Sequence, residues 1–73
     1  MRLQIRPYVY RDHPGFRLRG TDTHGRQVSI FTRFRDLAER LATAIKTDTM
    51  DDAEASIWEE ERARLARFEA TGR

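Results

Sequence analysis

The chain has 73 residues, enough for one small domain with a modest core. Hydrophobic residues make up 38% and charged residues 36%, the net charge is +2, and there is no cysteine, which excludes disulfide stapling and thiolate metal sites. No apolar run approaches the roughly 18 residues of a membrane span, and the N-terminus alternates in polarity where a signal peptide is continuously apolar, so a cytoplasmic protein is expected.

The first element is "RLQIRPYVY". Leu3, Ile5 and Val9 fall on one side of a strand, and Arg2, Gln4, Arg6, Tyr8 and Tyr10 on the other. Pro7 cannot donate to a ladder, which places this strand at a sheet edge or at a bulge. "DHPG", residues 12–15, is a turn signal. "FRLRGT" alternates again, with Phe16 and Leu18 opposite Arg17 and Arg19. "DTHGR", residues 22–26, supplies a second turn in which Gly25 takes a positive φ without steric cost. "QVSIF" is a third strand, with Val28 and Ile30 inward and Gln27, Ser29 and Phe31 outward. Three short strands joined by tight turns predict an antiparallel meander.

The period then lengthens. Phe34, Leu37, Ala38, Leu41 and Ile45 recur at helical spacing, the mark of an amphipathic helix. Thr32 is the expected N-cap. Asp36 and Glu39 near the start and Lys46 near the end suit the helix dipole. A second helix opens near Met50, where Thr49 and Asp52 have the spacing of a capping box. Along it Met50, Ala53, Ile57, Leu65 and Phe68 share a side with Trp58 adjacent, Glu61 interrupts the stripe, Glu60 and Arg64 form an i,i+4 pair, and Gly72 marks the end. The expected fold is α+β: a three-stranded meander on one amphipathic helix, then a C-terminal helix, all in one domain. Residues 1–47 form the βββα core and residues 48–73 the acidic helix.

Chemistry is sparse. His13 and His24 sit in predicted turns and lack the spacing of a metal or acid–base site. Ser29 and Ser56 have no nucleophile-elbow context, and no phosphate-binding glycine loop is present. No catalytic residues, metal or cofactor are expected, and the chain is not expected to be an enzyme.

Charge is more informative. Residues 1–50 carry ten basic groups against five acids, a balance of +5. Residues 51–73 carry four against seven, a balance of −3. A local positive field steers polyanions to the N-terminal part. The outer face of the predicted sheet presents Arg6, Tyr8, Tyr10, Arg17, Arg19, Gln27 and Ser29. Arginine suits phosphates and base edges, and tyrosine suits stacking. Arginine and tyrosine also suit a half-wet sheet face that binds nothing. Lys46 is the only lysine, a composition that suggests a GC-rich bacterial genome or its phage.

The stretch "FRLRGTDTHGRQVSIFTRFRDLAERLATAIK" resembles the arm-type DNA-binding domain at the N-terminus of tyrosine recombinases from phages and integrative elements. The likeness spans roughly residues 3 to 46. Phe16 to Arg19 match its second strand, residues 22–26 its turn, Val28 to Phe31 its third strand, and Thr32 its helix cap. The resemblance implies a sheet laid in the DNA major groove, with Arg17, Arg19, Gln27 and Ser29 at the contact and Arg6, Tyr8 and Tyr10 on the first strand. No recombinase catalytic domain follows, and the acidic second helix departs from the pattern. Two functions are therefore expected. The first is a small DNA-binding accessory protein of a phage or mobile element, acting on double-stranded DNA. The alternative is a protein-interaction module, a phage-encoded modulator of a host protein, that works through Ile57, Trp58, Leu65 and Phe68. The same helix is also a candidate homodimer contact.

Overall fold

The computed structural model describes residues 2–71, with side chains for residues 2–67. It contains β1 (Arg2–Tyr10), β2 (His13–Thr21), β3 (Gln27–Thr32), α1 (Arg35–Lys46) and α2 (Met50–Thr71). The strands form an antiparallel sheet in the order β1-β2-β3, the meander that the turn spacing predicts. The architecture is the expected α+β, βββαα arrangement. Gly72 lies outside the described residues.

β1 is an edge strand, as Pro7 requires. The β1–β2 turn is not at residues 12–15, however. Arg11 and Asp12 form a two-residue turn with positive φ at both positions (50° and 66°), and Tyr10 pairs with His13 directly after it. Such a primed turn matches the twist of the flanking strands. His13, Pro14 and Gly15 therefore belong to β2. The antiparallel register explains how two prolines fit. The pair closing a two-residue hairpin exchanges hydrogen bonds, and pairs alternate from there. Val9–Pro14 and Pro7–Phe16 are then the non-bonded pairs, and each proline turns its missing N–H away from the partner strand. β3 pairs only with Phe16 to Thr21, so the distal half of the hairpin is two strands wide. Arg33 reaches where a longer β3 would run, and its Nε donates to the Pro14 carbonyl at 3.2 Å.

The core lies between the inner sheet face and the helices. Leu18, Leu37, Leu41, Ala42, Ile45 and Ile57 are buried together, with Leu3, Ile5, Val28, Ile30, Phe34 and Met50 packed against them. Val9 departs from the expected inner row: it is 62% exposed, because the hairpin there projects past the helices. α1 buries Ala42 and Ala44 as well as the predicted leucines, since it has neighbours on two sides. Its inner side meets the sheet, and α2 packs mainly on α1, where Ala44, Ala53 and Ile57 line one groove.

Two caps differ from the sequence expectation. Thr32 is not the N-cap of α1. That position falls to Phe34, with no side-chain cap, and Thr32 is buried with its hydroxyl donating to Glu61 at 2.6 Å. The capping box of α2 is incomplete. The Thr49 carbonyl accepts from the amides of Asp52 and Ala53, while the Thr49 hydroxyl pairs with that of Thr47 at 2.8 Å.

Candidate nucleic-acid interface

Strand alternation sends every second side chain of the sheet away from Leu18. The cross-strand register then builds rows on the outer face: Arg6 beside Arg17 beside Phe31, Gln4 beside Arg19 beside Ser29, and Thr21 beside Gln27. Tyr8 lies opposite Gly15, and Tyr10 opposite His13. The predicted residues Arg6, Tyr8, Tyr10, Arg17, Arg19, Gln27 and Ser29 thus share one face. Arg17 is half-buried; the others are exposed.

The face is graded along the strands. One end is polar, with Arg19, Gln27 and Ser29. The other end is aromatic. The Tyr8 and Tyr10 rings lie 6.2 Å and 5.5 Å from that of Phe31, centroid to centroid. Arg17 lies over Tyr8 at 4.3 Å and Arg11 over Tyr10 at 5.3 Å, distances at which a guanidinium is attracted to a ring face. Gly15 makes room for this cluster. A Cβ there would stand 2.7 Å from a Phe31 ring carbon and 2.6 Å from the Thr32 carbonyl oxygen. Sequence alternation put Phe31 outward but did not mark it as a site residue. The signal was the glycine that pairs opposite Tyr8, and it becomes legible only once the register is known.

Arg6 and Arg17 face each other directly across the β1–β2 pair, a like-charge arrangement that destabilises a sheet. The Tyr8 ring takes up part of the Arg17 charge, but no acid described on the face answers the pair. Among the described residues no carboxylate pairs with Arg6, Arg17 or Arg19, whereas Arg26, Arg35 and Arg64 have Asp22, Glu39, and Asp36 with Glu60. Two glutamates of α2 are engaged elsewhere. Glu60 holds Arg64, and Glu61 accepts from the Thr32 hydroxyl and the Arg33 amide. Arg6, Tyr8, Arg17 and Arg19 line an open depression of about 320 Å³ beside Gln4 and Pro7.

The perturbed carboxyls lie away from this face and serve the fold. Hydrogen bonds from the Arg64 guanidinium hold the Asp36 carboxyl below its ordinary value of 3.8. The Asp22 carboxylate is held low chiefly by the Arg26 amide, then by that of His24. His24 lies 3.4 Å from Asp48, both exposed, and His13 is exposed at the hairpin end. Among the described residues no three His, Asp or Glu side chains converge to hold a metal ion.

The residues predicted for a partner on α2 divide. Ile57 is 1% exposed and belongs to the core, so a partner cannot reach it. Its neighbours on the apolar stripe needed somewhere to go, and α1 supplied it. Trp58 is half-buried against that core, and Leu65 is half-buried. The side chain of Phe68 lies outside the described residues. No helix among the described residues is long and apolar enough to cross a membrane. In comparisons with known proteins, no family model, no curated protein and no solved structure matches this chain.

Proposed function

We propose that the protein is a DNA-binding accessory protein, of the kind phages and mobile elements encode, that grips double-stranded DNA with the outer face of its sheet. One observation carries this reading. Arg6, Arg17 and Arg19 gather on one open sheet face, and among the described residues no carboxylate pairs with any of the three, whereas Arg26, Arg35 and Arg64 on the rest of the fold are ion-paired. A polyanion on this face relieves the Arg6–Arg17 repulsion, for which the fold supplies only the Tyr8 ring beside Arg17. β-strands are an established element for reading a DNA groove, and here the arginines project from the face of the sheet. Arg17 and Arg19 then reach phosphates or guanine edges from the central strand, while Gln27 and Ser29 offer shorter polar contacts. The resemblance of residues 3–46 to the arm-type recombinase domain supports the same face.

Binding of a labelled duplex should fall steeply with added salt, as each neutralised phosphate releases counterions. The double variant Arg17→Ala, Arg19→Ala should bind more weakly and reduce the slope of log affinity against log salt by about 2, with an unchanged circular dichroism spectrum. A duplex left unbound at low salt by the folded wild type would rule the proposal out.

A further inference from the structure

The aromatic end of the sheet face asks for a different ligand surface from the arginine end. A stacked duplex shows proteins the edges of its bases and hides their faces. Rings with accessible faces match bases that have left the stack, because each base has a π-face to offer. Tyr8 and Tyr10 are 37% and 46% exposed. They stand on a segment two strands wide, with exposed Val9 behind them and no core to shield. Large exposed rings on so thin a support point to binding. Their charge surroundings select an anionic occupant. Arg17 and Arg11 already lie against the two rings, Arg6 stands opposite Arg17, and Asp12 at the turn is the one acid of the hairpin.

We infer that this end is a binding site for an unpaired nucleotide, with its base stacked on the Tyr8–Tyr10–Phe31 cluster and its phosphate against Arg6 and Arg17. The inference rests on the duplex-binding reading and narrows its substrate class to duplex DNA that runs into a single strand. The rows of the sheet order the two contacts. Arg19, Gln27 and Ser29 lie at the duplex end, and the hairpin tip extends past β3 toward the strand that has separated. The guanidinium groups resting on Tyr8 and Tyr10 are planar, so a base can stack on them or take their place on the ring.

Fluorescence anisotropy with three probes tests this: a blunt duplex, the same duplex with a single-stranded thymidine tail, and the tail strand alone. The wild type should bind the tailed duplex about tenfold more tightly than the blunt one, the gain of one stacked base. Tyr10→Ala should bring the ratio of tailed-duplex to blunt-duplex affinity, both measured on the same variant, down to about one, whatever it does to blunt-duplex binding itself. Tyr10→Phe, which keeps the ring, should retain the gain. Blunt duplex bound as tightly as tailed duplex by the wild type overturns the inference and leaves duplex binding standing. A gain that survives in Tyr10→Ala, with the fold intact by circular dichroism, also overturns it. No binding of any probe at low salt sinks both readings together.

Discussion

Thr32 is fully buried, and its hydroxyl has two tasks. It donates to the Glu61 carboxylate at 2.6 Å and accepts from the Phe34 amide at 3.3 Å. Glu61 accepts the Arg33 amide as well, at 3.0 Å, so one carboxylate satisfies the strand-to-helix junction that a conventional N-cap would serve. Thr32→Val keeps the shape and removes both tasks. It should cost about 1–3 kcal/mol, the range for a buried polar group left unpaired. That amounts to a thermal midpoint lower by roughly 4–8 °C per kcal/mol in a domain of this size. Thr32→Ser should lose less, and a valine variant that melts with the wild type would show the bond to be idle. In the sequence Glu61 appears only as a polar break in an apolar stripe. The break is visible because the stripe is local; its reason is not, because Thr32 lies 29 residues away. The same limit applies to Ile57, whose apolar side chain suits a partner surface or a core equally until α1 is placed beside it.

At the scale of elements, the two helices are clamped by Arg64. Its guanidinium bonds both Asp36 oxygens at 2.8 Å and Glu60 at 2.9 Å, and it lies 5.0 Å over the Phe34 ring. The folded state favours ionised Asp36, whose carboxyl is held below 3.8 by this partner; Arg64 itself is pushed further up and stays charged. The Asp36 contribution is therefore present above about pH 3.8 and fades as acid carries the pH below the lowered folded value. Thermal melts of the wild type and Asp36→Asn should differ at neutral pH, with the variant less stable, and should converge below pH 3.8. A gap that is constant across this range would separate the ion pair from stability. The strands and helices themselves were legible, since periods of 2 and 3.6 and the Glu60–Arg64 spacing are local properties. The Arg64–Asp36 clasp joins residues 28 apart, and nothing local announces it. The β1–β2 turn was misplaced for a related reason. Pro14 and Gly15 are turn formers by propensity, yet they are tolerated in β2 because β3 stops opposite Phe16.

For the molecule as a whole, the charge split along the chain becomes a split between faces. Sequence counting gives the N-terminal +5 and the C-terminal −3, but two placements were compatible with it: acidic α2 against the sheet's arginines, or α2 on the far side. The apolar positions decide. Ile57, Met50 and Ala53 pack against the core from the inner side, and Glu60 and Glu61 are engaged by Arg64, Thr32 and Arg33, not by Arg6, Arg17 or Arg19. The outcome is an elongated body of 42 × 25 × 15 Å, with one sheet face open along the strands. The candidate site was thus legible as a list of residues, by alternation alone. Its openness, its aromatic end and the place of Phe31 depended on register and on where α2 docks.

The narrowing of the sheet beyond Phe16 also has a consequence in time. Two-stranded hairpins are marginal on their own in water, and segments with few buried contacts open locally at low cost. Here the Arg33 bond to the Pro14 carbonyl is a side-chain tether where a third strand would supply a ladder. Backbone amides of the non-proline residues from 8 to 15 should therefore exchange with deuterium well before those of Leu18 and Ile30, which share the three-stranded part. Hydrogen exchange read by mass spectrometry on peptides from the two regions measures that difference. A tailed duplex seated on the tyrosines should slow the tip and leave the interior rates unchanged, while uniform rates along β2 would mean that the tip is as firmly held as the centre.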